Sequence, residues 1–186
     1  MIGLRTALIL LLALSAQAHE LQENRATLVL RDKTHVTITL YIAYTDALYQ
    51  ALAPQRPFAA FLLVYSAMKP DELQKELRKA ETRFESATHL YLPTAAARPL
   101  TITNWTWPDV KQVQTMLQQR MMQAIADPNG HSHETPIEVR SEANAQQEIT
   151  ALTIKLPEEF QKVLVVSYRP NQVWVDPKSP SPEIRF

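Results

Sequence analysis

The chain of 186 residues carries 19 basic and 19 acidic side chains, and this formal net charge of zero gives no reason to expect nucleic acid or an anionic membrane surface as a partner. It contains no cysteine, which excludes disulfides, thiol catalysis, thiolate zinc sites and iron–sulfur clusters. Only two glycines are present, Gly3 and Gly130, so the glycine-rich loops of nucleotide-binding enzymes are excluded as well.

The first segment of the chain has the three zones of a secretory signal peptide. A head with one positive charge, Arg5, precedes the apolar run of residues 7–14, and the small-residue ending Ala16-Gln17-Ala18 follows. The apolar run is far shorter than the ~20 residues of a membrane-spanning helix. We therefore expect residues 1–18 to be cleaved off, leaving a mature chain in the periplasm of a Gram-negative bacterium without a transmembrane segment.

Residues 19–177 are expected to form one globular domain, because a chain of this size can bury a core without disulfides. Residues 34–44 alternate apolar and polar side chains with the period of two that predicts a half-buried strand. Residues 25–32 precede this strand after a short polar connection, so the two segments predict a hairpin.

Prolines and apolar spacing then predict helices. Thr45 and Pro54 bound a short one, and Pro57 and Pro70 begin two more, which we expect to pack together as a helical hairpin. A long helix is predicted from about Asp109 to Asp127. Its apolar residues are expected to face inward: Val110, Val113, Leu117, Met121 and Ile125.

Strand composition returns in residues 88–93 and 99–108, and again in 137–143, 148–156 and 162–176. Residues 162–168 are apolar on both faces, which is typical of a central strand. The sequence thus predicts an α+β fold: a mainly antiparallel sheet or small β-sandwich of seven or eight strands with about three inserted helices. The last residues, 178–186, are expected to form an extended proline-rich tail.

Three histidines form the candidate metal site. Cleavage after Ala18 would give His19 a free amine beside its ring, and His131 and His133 lie together in a polar loop. Amine and imidazole nitrogens suit copper and other divalent transition metals. The alternative interpretation is a frayed terminus and an ordinary loop tip, because nothing in the sequence shows that the two segments meet.

Trp105 and Trp107 are spaced to point the same way along a strand. They could form an exposed platform for sugar or peptide, or they could cover the start of the long helix as structural residues. A hydrolase would need a serine, a histidine and an acid brought together, and the Gly-x-Ser-x-Gly motif is absent. We therefore expect no enzyme activity, with a hydrolase or carbohydrate-binding protein as an alternative.

Residues 18–42, AHELQENRATLVLRDKTHVTITLYI, resemble the exported N-terminal segment of HupE/UreJ-type membrane proteins. Such segments often begin with Ala-His-Glu-Leu after the signal and continue into a strand. The family is associated with nickel or other metal handling, so the resemblance implies His19 as a candidate ligand. This chain lacks the membrane helices that follow in the family, and the transport role is not carried over. The remaining residues are similar to uncharacterised exported proteins of Gram-negative bacteria.

The leading functional prediction is a periplasmic binding or accessory domain that acts by contact with a protein or membrane-complex partner. It depends on the signal peptide, the lack of catalytic motifs and the extended tail. The second prediction, from a different class, is a copper-type metal-binding protein that uses His19 together with His131 and His133.

Overall fold

The structure is a computed structural model, and it describes residues 24–93, 99–127 and 134–170. The predicted signal peptide, the three candidate histidines and the predicted tail lie outside these residues. The described part forms four helices and eight strands: α1 (Tyr44–Leu52), α2 (Phe58–Ser66), α3 (Pro70–Ala87), α4 (Val110–Ala126), β1 (Asn24–Leu30), β2 (His35–Ile42), β3 (His89–Tyr91), β4 (Pro99–Leu100), β5 (Ile102–Thr106), β6 (Ile137–Asn144), β7 (Thr153–Lys155) and β8 (Val163–Tyr168).

The strands form two sheets, and the predicted α+β class is confirmed. The larger sheet has the order β5-β6-β2-β1-β8, and the smaller one has the order β4-β3-β7. Every pairing is antiparallel except that between β1 and β8, which is parallel. The described helices number four rather than about three, because the short segment after β2 forms a full α1. None of these helices is both long and apolar enough to cross a bilayer.

The predicted hairpin of β1 and β2 is confirmed and is held by its turn. Leu30 pairs with Val36 at the end of the ladder. In the turn, the Asp32 carboxylate accepts hydrogen bonds from the backbone N–H groups of Thr34 (2.8 Å) and His35 (2.9 Å). An aspartate that satisfies two turn amides favours this tight connection over a longer loop.

The core lies between one face of the larger sheet and the helices. On β2 the four predicted inward residues, Val36, Ile38, Leu40 and Ile42, are at most 1% exposed. The predicted apolar stripe of α3 is also buried, and it belongs to the same apolar cluster as β2: Leu73, Leu77, Ala80 and Phe84. Side chains on the opposite face of the sheet are half-buried or exposed. We call the helix-covered face the inner face and the other the outer face.

Two predictions about the helices are wrong. The helices α2 and α3 do not form a close hairpin; α4 packs against both of them instead. Within α4, Val113 and Leu117 are buried, whereas Ile125 is 68% exposed. Residues four apart on a helix advance by about 40° around its axis, so Ile125 is turned about 120° away from Val113.

Residues 162–168 were predicted to form a central strand, and within the described part of the chain they do not. Among the described strands β8 is outermost, and β1 is its partner. Its Leu164, Val165 and Tyr168 are 44%, 43% and 57% exposed. Apolar residues on both sides of a strand usually indicate cover on both sides. Here neither face of β8 receives full cover from the described residues.

Candidate functional site

The described residues next to the candidate histidines converge on the start of α1. The Asn24 side chain, five residues after His19, accepts a hydrogen bond from the Ala43 N–H at 2.7 Å and donates one to the Phe160 carbonyl at 2.6 Å. Glu134 directly follows His133, and its carboxylate oxygens lie 2.9 and 3.1 Å from the backbone nitrogen of Thr45. Asn24 and Glu134 are therefore bound to backbone groups only two residues apart, Ala43 and Thr45, at the start of α1.

Chain length permits His19 to reach the loop that carries the other two histidines. Consecutive Cα atoms are about 3.8 Å apart, so Ala43 and Thr45 lie within about 8 Å. Five residues of extended chain before Asn24 span at most about 18 Å. The three histidines themselves lie outside the described residues, and the described residues contain no cluster of three or more His, Asp and Glu side chains that could hold a metal. The three-histidine site stays a prediction.

Glu134 is a partly buried carboxylate at the beginning of a helix. Burial raises its pKa, and nearby Asp46 raises it further, whereas the hydrogen bonds from Thr45 and the charge of Arg120 act in the opposite direction. The Arg120 guanidinium lies 3.7 Å from the Asp46 carboxylate. An anionic group in front of α1 is also favoured by the positive end of the helix dipole. Glu134 therefore fixes one end of the histidine loop to the domain.

A second candidate is an apolar cleft at the β8 end of the inner face, with a volume of about 440 Å³. This volume falls in the usual range for small-ligand pockets. Leu28 and Leu30 of β1 and Val165 of β8 form one wall, and the chain that leads into β7 forms the other. The residues lining it are Leu28, Leu30, Val36, Ile149, Thr150, Ala151, Leu152, Ile154, Val165, Ser167, Tyr168 and Arg169. Most of the described lining is aliphatic, which is the composition of a binding surface.

A polar groove of about 570 Å³ lies at the opposite end of the sheet. His35 and Glu142 face each other in it, with Nε2 and Oε2 3.7 Å apart, and Asn104 Nδ2 donates to Glu142 at 3.1 Å. Asn104 has a φ of 57°, in the left-handed region, within an irregular stretch of β5. Arg31 and Arg140 contribute positive charge to the same groove. His35 is thus a half-buried residue of this groove.

The two tryptophans stack on each other, with ring centroids 5.6 Å apart and planes 11° apart. Both are half-buried. Trp107 donates from Nε1 to Glu85 Oε1 at 2.7 Å and packs beside Tyr44 and Phe84. Trp107 thus packs against α1 and α3, whereas the structural interpretation placed the pair over the start of the long helix.

Sequence reasoning missed the cleft and the role of Glu134. The cleft forms where β1, β2 and β8 meet the chain segment that leads into β7. No local sequence pattern indicates that these distant segments come together. Glu134 bonds to a backbone group 89 residues away. The only sequence signal is its position at the end of a polar loop, where a carboxylate can accept backbone N–H groups.

Comparison of the chain with protein-family models, with curated proteins and with solved structures found no significant match in any of the three.

Proposed function

We propose that this protein is an exported, periplasmic binding or accessory domain that acts by contact with a protein partner. The observation that carries the proposal is an apolar patch on the outer face at the β8 end of the larger sheet. The patch consists of Leu164, Val166 and Tyr168 together with Val29, which lies opposite Tyr168 in the β1–β8 register. We call it the β8 patch.

The composition of the β8 patch and its surroundings supports a protein partner. Leu164 and Tyr168 are 44% and 57% exposed, so apolar area remains in water when the domain is alone. Beside it, the Arg25 guanidinium stacks over the Tyr41 ring at 4.5 Å and forms a polar border. An apolar centre with aromatic and arginine residues at its border is typical of protein–protein interfaces. A contact that covers Leu164 and Tyr168 would gain from the hydrophobic effect.

Site-specific photocrosslinking in living cells tests this proposal. A photoreactive phenylalanine derivative replaces Tyr168 or Leu164, and a matched variant carries it at Lys75, an exposed residue on the polar side of α3. We expect one discrete covalent adduct from the two positions in the β8 patch and none from position 75. Equal adducts at all three positions, or none at any, would contradict the proposal.

The same experiment separates the β8 patch from the predicted tail. A chain that ends at Pro177 lacks residues 178–186. If the β8 patch carries the contact, the adduct at Tyr168 persists in the shortened chain. Loss of the adduct would assign the contact to the tail, as the sequence alone suggested.

A second function, transition-metal binding through His19, His131 and His133, is favoured by one observation. Asn24 and Glu134, the described residues that flank the histidine segments, are both bound to the turn at the start of α1. Fixed anchors lower the conformational entropy that a metal must overcome to bring the two segments together. Amine and imidazole nitrogens must lose their protons to bind, so affinity should rise with pH.

Titration of the mature protein with Cu(II) tests this second function. One protein begins at His19, and its control carries a single extra residue before His19, which removes the amine from the chelate ring. We expect the control, and separately the H131A/H133A variant, to bind at least tenfold more weakly. Equal binding by all three proteins would contradict the site.

A further inference from the structure

The apolar cleft has a floor of core residues and a wall that remains accessible to water. Leu28, Val36 and Ile149 line the cleft and are at most 7% exposed. Val165, on the β8 side, is 43% exposed. Accessible apolar surface beside a buried floor gains free energy when an apolar ligand covers it. The cleft, with its volume of about 440 Å³, therefore has the room and the composition to hold an aliphatic chain.

Three charged side chains meet at the end of the cleft that lies next to the β1–β2 turn. Arg169 lines the cleft, and its Nη2 lies 3.5 Å from one oxygen of the Glu148 carboxylate. Lys33, in the turn, places its Nζ 3.5 Å from the other oxygen. The segment that carries Glu148 is fixed to the turn, because the Ile149 N–H donates to the Lys33 carbonyl at 2.7 Å. We call Lys33, Glu148 and Arg169 the charged mouth of the cleft.

The charged mouth suits a ligand with a single negative charge. Its two cations and one carboxylate leave one positive charge in excess. The neighbouring Arg31 and Asp32 have opposite charges and do not alter this excess. The side chains of Lys33, Arg169 and Glu148 are 72%, 65% and 45% exposed, and ion pairs in water contribute little. The Arg169 guanidinium has five N–H donors, so it can bind a carboxylate of the ligand in a bidentate manner.

The geometry of β8 gives the length of chain that fits between the charged mouth and Val165. Arg169, Ser167 and Val165 all line the cleft, as alternate residues of an extended chain do on one face. The path from Arg169 back to Val165 covers about 13 Å in extended geometry. Carbon–carbon bonds of about 1.5 Å advance an extended hydrocarbon by about 1.25 Å per carbon, so about ten carbon atoms span this path.

We propose that the cleft binds a medium-chain fatty acid, with its carboxylate on Arg169 and its acyl chain over Leu28 and Val165. The carboxylate matches the excess positive charge of the mouth, and the chain matches the aliphatic lining. An apolar side chain of a protein partner would fill the cleft but would leave this charge unused. The cleft lies on the inner face, so the proposal stands independently of the partner contact at the β8 patch on the outer face.

Calorimetric titration of the chain of residues 19–186 with sodium decanoate tests the site. We expect decanoate to bind with a stoichiometry of one per chain. Octanoate should bind about fifteenfold more weakly, because two fewer methylene groups are buried. Decyltrimethylammonium has the same alkyl chain with the opposite charge, and it should bind at least tenfold more weakly than decanoate. Equal affinity for the three compounds, or no binding of decanoate, would overturn the proposal.

Matched variants test the position of the carboxylate. R169Q removes a cation from the charged mouth, and R140Q removes an exposed arginine from the polar groove at the other end of the sheet. We expect R169Q to weaken decanoate binding at least fivefold and R140Q to leave it unchanged. E148Q should strengthen binding at least twofold, because Arg169 then has no competing carboxylate. Equal affinity of the wild type and R169Q would contradict a carboxylate bound to Arg169.

Methyl NMR of the unmodified chain tests the position of the acyl chain. Saturation with decanoate should shift the methyl signals of Leu28, Ile149 and Val165 at least twofold more than those of Leu63 and Ile125. The last two residues are 63% and 68% exposed on α2 and α4, and they offer the acyl chain an alternative apolar surface. Larger shifts at Leu63 and Ile125 would place the acyl chain on the helices and would overturn the proposal.

Discussion

The two edges of the larger sheet differ in how they are protected. At one edge, β5 is irregular between Thr103 and Thr106, and its Trp105 stacks on Trp107, with both rings half-buried. At the other, β8 runs in unbroken register with β1 and exposes apolar side chains. Natural sheets commonly protect an edge with a bulge or a short strand, because a regular apolar edge invites pairing. Among the described strands, β5 therefore forms the closed edge of the sheet, and β8 forms an edge without such protection.

The largest expected difference between the two ends of the sheet comes from matched valine truncations on the inner face. Val139 of β6 is fully buried, whereas Val165 of β8 is 43% exposed. We expect V139A to lower the free energy of unfolding by about 2 kcal/mol, and V165A to lower it by about 0.5 kcal/mol, because only the first leaves a cavity. Urea unfolding measures both. Equal losses would show that the β8 end is packed as tightly as the β5 end.

The closed edge should depend on the Trp107 indole. In W107F the stack is partly kept, but Glu85 loses the hydrogen bond from Nε1. We expect a loss of about 1.5 kcal/mol, since a half-buried carboxylate is left without this donor. W105F is the control, and it should cost less because no hydrogen bond from Trp105 contributes to this contact. A smaller effect for W107F than for W105F would contradict the role assigned to Trp107.

A buried carboxylate on α3 should make the free energy of unfolding depend on pH. Glu81 of α3 is 2% exposed, and burial raises its pKa, with Glu85 acting in the same direction and Arg78 and Tyr44 opposing it. A raised pKa in the folded state means that stability is fully present below the unfolded pKa and is lost as pH rises through the folded pKa. In E81Q this pH-dependent loss of stability should disappear. Its size in the wild type is about 1.4 kcal/mol for each unit by which folding raises the pKa of Glu81.

Unfolding of the wild type and E81Q from pH 4 to pH 8 measures this effect. The advantage of the variant should grow with pH across that window. The exposed Thr82 next to Glu81 gives the control, and T82A should gain no advantage over the wild type as the pH rises. An advantage of E81Q that is independent of pH would contradict the assignment.

The smallest expected effect compares two described residues with positive φ, one at each edge of the larger sheet. Gln161 leads into β8 with φ 53° and ψ −140°, a region that favours glycine, and Asn104 in β5 has φ 57°. Q161G should therefore raise the free energy of unfolding by about 1 kcal/mol. N104G should change it by less than about 0.5 kcal/mol, because asparagine tolerates the left-handed region. A loss of stability in Q161G would show that its side chain makes a contact worth more than the backbone strain.

The sequence predicted the features that local patterns determine. The alternation in β2 and the helical spacing of Leu73, Leu77 and Phe84 each identify a buried face, because the element and its exposure have the same period. The position of β8 could not be predicted, since it depends on parallel pairing with β1, which is far away in the chain. An apolar strand looks the same in sequence whether it lies at the centre of a sheet or at its edge.

The candidate sites show the same limit. The three histidines were identified from their chemistry, but the anchors beside them depend on contacts across the whole chain: Asn24 bonds to Phe160, 136 residues away. The cleft beside Val165 is likewise lined by residues 28–36 and by residues 149–169, which are far apart in the sequence. Residues able to bind a metal or a ligand can be recognised in the sequence. Which of them lie together on one surface depends on the order in which the strands pair.

Amide hydrogen exchange along β8 tests most directly that this strand forms an open edge of the larger sheet. Alternate N–H groups of β8 point toward β1, and the others point away from it. We expect the amides that point away from β1 to exchange at least tenfold faster than those that point toward it. Equal exchange rates for the two sets of amides would contradict an open edge at β8.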